Sequence, residues 1–276
     1  MARTRAFDTG GGTLVMGVLN VTPDSFSDGG LHAETATAIA RGWQMASEGA
    51  AIVDVGGEST RPGADPVPAD EEMRRVMPVI EALTADGIAV SIDTSKPEVA
   101  DAALAAGAEI VNDVTALSAP DMAGVVAGRG AGLVLMHMQG EPRTMQVDPT
   151  YGDVVAHVTD FLVGRVQVAR DAGVGPERIC LDPGIGFGKR LEHNLALLGD
   201  GVRSLVATGH PVLVGASRKS WLQHLLGEIS MAERDAPSSA AHALAIAAGA
   251  SVIRVHNVVM GLRIARVADA IVGASA

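Results

Sequence analysis

A chain of 276 residues with a formal net charge of −11 and no basic tract lacks the clustered Lys and Arg of a nucleic-acid-binding surface. Its single cysteine, Cys180, excludes an internal disulfide and fits the reducing cytoplasm, and the leading Met-Ala-Arg-Thr-Arg has no apolar core of a secretory signal. Hydrophobic residues reach 47% while aromatic residues are only 3%, so the core must be built from Val, Ile, Leu, Ala and Met.

Residues 1–12 read as a mobile leader ending in Gly10-Gly11-Gly12, and 13–276 as a single domain. Eight short β-branched or apolar runs follow: Thr13–Thr22, Ala50–Glu58, Ala89–Ser95, Ile110–Thr115, Gly132–Met138, Ile179–Ile185, Pro211–Ser217 and Ser251–Asn257. Ala-rich amphipathic stretches of helical length separate them. The first helix is expected over about 33–48 and the second over about 69–84, with Asp70, Glu71 and Glu72 complementing the dipole of its first turn. Pro97 suits the first turn of a third helix ending at Gly107. Further helices are expected over about 152–172, 192–208, 219–226, 238–249 and 258–272, with 227–237 as a loop. The Ala/Gly-rich stretch Ser238–Ile253 contains His242 and reads as a packed helix followed by a strand, not a membrane span. Eight strand–helix units imply an α/β protein of the (β/α)8, or TIM-barrel, class, which needs about 250 residues and carries its chemistry at the C-terminal ends of the strands. Long loops after strands one, two and five then fall on the catalytic face, where such loops bind substrate or act as lids.

The strand ends are rich in reaction-capable residues: Asn20, Glu58 with Arg61, Asp93, Asn112, His137, Asp182, Ser217 with Lys219, and Arg254 with His256. The loop from Leu19 to Gly30 is either plain turn chemistry or a flap carrying Phe26, and Asn20 offers a neutral oxygen suited to a hard cation such as Mg2+. The run Gly184–Lys189 fails as a phosphate loop, because Pro183 stands where glycine is required and Arg190 where Ser or Thr is. What survives is a turn placing Phe187 near a pocket. Asp93, Asn112 and Asp182 either cap helices or converge to read a flat, nitrogen-rich ring, since a carboxylate accepts paired N–H groups and Asn both donates and accepts. Ser217–Ser220 follows strand seven, and Arg254 and His256 share one face of strand eight. They are either solvated charges or a phosphate site of the kind barrels build after strands seven and eight. No zinc spacing exists among the histidines; His32, His157, His193, His210, His224 and His242 read as surface or packing residues, and Cys180 as inert.

Taken together these segments resemble the dihydropteroate synthase family. The motifs are LNVTPDSFSDGG from Leu19, VDVGGESTRPGA from Val53, VSIDTSKPEVA from Val90, IVNDV from Ile110, LMHMQGEPRTMQ from Leu135, LDPGIGFGK from Leu181, VGASRKS from Val214 and IRVH from Ile253. Each is modest alone; eight in order, from Met16 to about Val259, are specific.

The resemblance implies condensation of 6-hydroxymethyl-7,8-dihydropterin diphosphate with 4-aminobenzoate to 7,8-dihydropteroate and diphosphate, with Mg2+ on the diphosphate. It implies that Asp93, Asn112, Met136, Asp182, Lys219 and Arg254 form the pterin site. Asn20 would ligate the Mg2+, and Asn20, Arg254 and His256 would hold the diphosphate. Phe26, Thr60, Arg61, Pro62, Phe187 and Ser220 would shape the aminobenzoate site. Asp93, Lys219, Arg254 and His256 would be the catalytic set. It further implies a homodimer, with the helices over 238–249 and 258–272 as contributors, and competitive inhibition by sulfonamides, because Ser25-Phe26-Ser27 and Thr60-Arg61-Pro62 look ordinary for the family. Two departures stand beside the matched residues: Asn257 where many members carry Asp, and Arg190 where a small hydroxyl residue is common. The alternatives are a methyltetrahydrofolate-dependent methyltransferase domain, which would not need the diphosphate set, and a catalytically silent pterin-binding paralogue.

Overall fold

The computed structural model describes residues 6–22, 30–60 and 63–274. Among them, eight parallel strands alternate with helices. The strands are β1 (Leu14–Asn20), β2 (Ile52–Gly56), β3 (Val90–Asp93), β4 (Ile110–Asp113), β5 (Gly132–Met136), β6 (Ile179–Asp182), β7 (Leu213–Val214) and β8 (Val252–Val255). The helices are α1 (Gly30–Ser47), α2 (Ala69–Ala85), α3 (Pro97–Ala105), α4 (Met122–Arg129), α5 (Val154–Asp171), α6 (Leu191–Ala196), α7 (Val202–Val206), α8 (Trp221–Leu226), α9 (Asp235–Ala247) and α10 (Val258–Gly273). Strands β1 to β6 pair in sequence, β8 pairs with both β1 and β7, and a bridge between Leu181 and Val212 joins the two ends of the sheet into a barrel. The expected (β/α)8 class is thus the observed one.

Strands buried on both faces need apolar side chains on both faces, which explains their near-continuous Val, Ile and Leu. Outward residues such as Val53, Ile92, Val111 and Leu133 pack with Leu83, Val99, Val126 and Leu162 of the helices. The inward residues Met16, Ile52, Ile110, Val134, Cys180, Leu213 and Val252 form a separate cluster inside the barrel.

That inner cluster contains Phe7. The expected boundary at residue 13 therefore needs correction for the described part of the leader: Phe7 is only 4% exposed, and Ala6 packs beside it. The reason is physical, because an aliphatic barrel leaves an apolar opening at its N-terminal end that one aromatic ring can fill. Thr13 ties the same segment to α10 through its backbone N–H and its hydroxyl, which donate to Asp269 at 2.8 and 2.7 Å.

Two other expectations change. The single helix over 192–208 is broken into α6 and α7 by a wider π turn at 197–201, where a Cβ on Gly201 would lie 2.8 Å from Leu197 Cδ2. Helix α9 starts at Asp235, three residues earlier than expected, with Pro237 in its first turn, where a missing N–H costs nothing. Asp70, Glu71 and Glu72 stand in the first turn of α2 as expected, and Glu72 is in addition fully buried and bonded to Lys96 at 2.6 Å.

Candidate active site

Two residues beyond the apolar layer, the same strands turn polar. Asp54 follows Ile52, Asn112 follows Ile110, Asp182 follows Cys180 and Arg254 follows Val252, each on the inward face. Arg254 spans the mouth from β8, donating through Nε to Asp54 Oδ2 at 2.6 Å and through Nη2 to Asp93 Oδ2 at 2.7 Å. Asn112 Nδ2 donates to the same Asp54 oxygen at 3.0 Å. Burial pushes Asp93 up to about 7, with Arg254 opposing and Asp54, Glu72 and Asp113 adding to the rise. Burial likewise pushes Lys219 down to about 8, with Asp182 and Asp93 opposing and Arg254 adding. Asp182 is raised by burial against the pull of Lys219, and its Oδ1 accepts from the Gly184 N–H at 2.7 Å.

Lys219 donates to the Ile185 carbonyl, and its Nζ sits 4.4 Å from the centroid of the Phe187 ring, within cation–π range. His256 Nδ1 and backbone N lie 3.0 and 3.2 Å from Ser217 Oγ. Lys96 binds Glu58 and Glu72, and Glu58 Oε1 accepts from Val67 N at 3.3 Å, which fixes the loop carrying Thr60.

A cavity of about 440 Å³ opens above this layer. Its wall brings together Asn20, Thr60, Asp93, Phe187, Lys219, Ser220, Arg254 and His256 of the sequence-derived set. Asn112, Met136 and Asp182 do not line it; they are 4%, 3% and 5% exposed, and Asn112 lies beside Asp93 in the strand register. Phe26, Arg61 and Pro62 fall outside the described residues.

The arrangement can bind a ring bearing N–H groups against buried carboxylates and an anion against Arg254, His256 and Lys219. A family model described as "Pterin binding enzyme" matches residues 16–256. The dihydropteroate synthase of Synechocystis sp. is 46% identical over 267 residues, 96% of this chain and 92% of that protein. The chain belongs to the dihydropteroate synthase family of pterin-binding enzymes. The solved synthase of Xanthomonas albilineans with 4-aminobenzoic acid superposes with a TM-score of 0.88 at 48% identity, covering 94% of this chain and 93% of the other. The same enzyme in complex with 7,8-dihydropteroate gives 0.85 at 45% identity over the same shares. The Yersinia pestis synthase with a sulfonamide gives 0.88 at 41% identity, covering 97% and 95%.

Within this family frame, two features escaped the sequence. Asp54 is fully buried and holds both Arg254 and Asn112; the available signal was a lone acid at an inward position of an apolar strand. Arg234 also lines the cavity, beside Arg218 of the Ser217–Ser220 run. Arg218 adopts a left-handed φ of 57° and makes a two-pronged pair with Asp235 at 2.6 and 2.9 Å, while Arg234 Nη1 donates to its carbonyl at 3.2 Å. Reading 227–237 as a plain loop hid both contacts. His137, noted at a strand end, turns away from the cavity: it is 1% exposed and packs edge-on against His157 and Phe161. Cys180 is fully buried, and burial pushes its thiol well up, so it is inert as expected. His242 is a packing residue whose Nε2 accepts from Ala216 N at 3.3 Å. Among the described residues no helix is long and apolar enough to cross a membrane.

Proposed function

We infer that this chain joins 6-hydroxymethyl-7,8-dihydropterin diphosphate to 4-aminobenzoate, releasing diphosphate and 7,8-dihydropteroate. The observation that carries this reading is the convergence of Asp93, Lys219 and Arg254 with His256 on one cavity, in a chain matched nearly end to end by synthases. Asp93 accepts ring N–H groups from the cavity wall, and Asp182, Asn112 and Met136, buried behind that wall, meet the ring's inner edge once it enters. Lys219 donates to a ring acceptor. Arg254 and His256 receive the diphosphate oxygens, where negative charge grows as the C–O bond breaks. The methylene carbon becomes cationic and is stabilised by the ring and by nearby Asp93. The aniline nitrogen attacks with its free pair, forms the C–N bond and then loses a proton to solvent. Thr60, Phe187 and Ser220, with Phe26, Arg61 and Pro62, hold the aminobenzoate. A sulfonamide, as an aromatic amine of similar shape, competes there.

The residues present fit Mg2+ held in part by substrate. Asn20 ends β1 on the wall shared with Arg254 and His256, and among the described residues no group of three His, Cys, Asp or Glu could form a separate metal cage. A hard cation would take the neutral oxygen of Asn20, with the remaining ligands from diphosphate and water. When bound, Mg2+ neutralises charge on the departing diphosphate. The apolar residues Leu244, Val267 and Ile271 of α9 and α10 are 68%, 61% and 64% exposed, which supports a homodimer through these helices; the single cysteine, Cys180, fits a cytoplasmic location. Sedimentation equilibrium checks the dimeric state.

The deciding experiment is diphosphate release from the pterin diphosphate with Mg2+, with and without 4-aminobenzoate. Release coupled one-to-one with dihydropteroate is expected. Pterin binding without release would support the silent paralogue instead.

A further inference from the structure

Between β6 and α6, residues 184–188 form a strap across the cavity wall. Both of its ends press on the exit of β5. Gly184 has φ +68° and a Cβ there would lie 1.9 Å from the His137 carbonyl oxygen; Gly188 has φ +60° and its Cβ would lie 2.5 Å from the Gln139 carbonyl oxygen. No side chain fits at either point. The strap offers two groups to the site: the Ile185 carbonyl, which accepts from Lys219, and the Phe187 ring against the Lys219 ammonium.

Lys189 closes this strap. Its Nζ lies 2.9 Å from the Phe187 carbonyl, 3.1 Å from the His137 carbonyl and 2.9 Å from His137 Nδ1. The side chain is 3% exposed, and these bonds go to carbonyls and an imidazole, none to a carboxylate. A lysine buried with no carboxylate bonded to it is costly, and an apolar chain of equal length would be cheaper to bury. Its retention is explained if the amine fixes a geometry that an apolar chain cannot.

We propose that Lys189 is a positioning residue for the aminobenzoate pocket, cross-linking the Phe187 carbonyl to the β5 exit and so fixing where the Phe187 ring meets Lys219. This rests on the synthase reading above. Burial pushes the Lys189 amine well below the ordinary lysine value, against the pull of Asp182, and pushes His137 down to about 3. Each protonation state of the amine can satisfy all three partners: an ammonium donates to both carbonyls and to His137 Nδ1, and a neutral amine donates to the carbonyls and accepts from Nδ1–H. Other anchors hold other points of the strap: Tyr151 Oη on the Gly188 carbonyl and Asn194 Oδ1 on the Gly186 N–H, both at 2.7 Å.

The test uses the full chain and compares Lys189→Met with the natural protein. The KM for 4-aminobenzoate should rise about tenfold, the scale of one lost net hydrogen bond, while the KM for the pterin diphosphate stays within about twofold. In a Phe187→Ala background, Lys189→Met should add less than about twofold, because both changes remove one interaction. Lys189→Gln keeps a donor for one carbonyl and should recover part of the affinity. Hydrogen exchange over 184–188 should quicken in Lys189→Met while that of β5 does not. An equal rise in both KM values, additive effects in the cycle, or unchanged exchange over the strap would overturn the proposal. If Lys189→Met does not fold, Lys189→Gln run through the same cycle decides. A natural protein that makes no dihydropteroate sinks the synthase reading, and the exchange measurement still judges the strap.

Discussion

The barrel interior contains two layers that differ by one pleat repeat, about 6.6 Å along the same strands. The lower layer is Met16, Ile52, Ile110, Val134, Cys180, Leu213 and Val252, stoppered by Phe7. The upper layer is Asp54, Asp93, Asn112, Asp182 and Arg254. Both are largely dry: Ile52 and Ile110 are 3% and 1% exposed, Asp54 and Asn112 0% and 4%. Burial stabilises the first layer, at about 25 cal/mol for each square ångström of apolar surface removed from water. It penalises the second, where charges are tolerated only because Arg254 faces two carboxylates and Asn112 shares one of them. One fold therefore separates stability from chemistry by a step of two residues per strand.

The sharpest way to break this division is to open the lower layer. Phe7→Ala should cost about 3–5 kcal/mol of folding stability, read by urea unfolding, while kcat and KM of the folded enzyme stay within about twofold. Lost turnover at unchanged stability would mean that the two layers are not separate. The converse change is Asp93→Asn. It keeps an oxygen for Arg254 but removes the charge facing the cationic methylene. Dihydropteroate formation should fall by about 10²–10³ in kcat/KM, with a smaller loss of stability than Phe7→Ala causes. An Asp93→Asn enzyme with full turnover would remove Asp93 from the chemistry.

These two layers also explain what could be read before the structure. Asp93, Asn112 and Asp182 were legible because they end strands, where a barrel carries its chemistry, and Arg254 with His256 because residues two apart share one strand face. Eight strands in order then bring them together without knowledge of any contact. Asp54 also faces inward but was passed over, because it does not end its strand. Partnerships across the chain were illegible. Arg218 meets Asp235 and Lys189 meets His137 through loops whose paths no periodicity encodes. Phe7 was hidden for another reason: seven residues with three glycines following give no strand or helix pattern, and only the closed barrel creates the hole that it fills.

The pH profile sharpens the comparison further. Asp93 must be ionised to accept ring N–H groups, and Lys219 must be protonated to donate. With Asp93 at about 7 and Lys219 at about 8, kcat/KM should fall about tenfold per unit on the acid side and again on the alkaline side. The two limbs belong to the coupled cluster and not to single residues. The stability sign is opposite. A raised carboxyl binds its proton more tightly in the folded state, so this contribution is full below the ordinary carboxylate range and is lost as pH rises through about 7. Acidification from neutral should therefore reduce activity while this group favours the fold. Phe7→Ala should leave the profile unmoved; a shifted profile would show the lower layer tuning the upper.

The smallest expected effect is at Asn257, just past the upper layer. Its Oδ1 accepts from the Met260 N–H at 3.0 Å and caps α10, and its Nδ2 donates to Asp235 Oδ2 at 3.1 Å. Asn257→Ala removes the cap and should cost about 1 kcal/mol, measured by denaturant midpoint. Asn257→Asp keeps the cap but sets a second carboxylate against Asp235, whose ion pair with Arg218 forms part of the cavity wall. The Arg218 guanidinium holds Asp235 below the usual carboxylate range, so both acids would be charged at neutral pH. Asn257→Asp should then disturb the Arg218 side chain more than Asn257→Ala does, and raise a KM without lowering the unfolding midpoint further. If Asp instead proves silent here, the Asp235 to Arg218 pair is strong enough to stand alone, and the upper layer's outer wall does not depend on the residue that follows its strand-eight histidine.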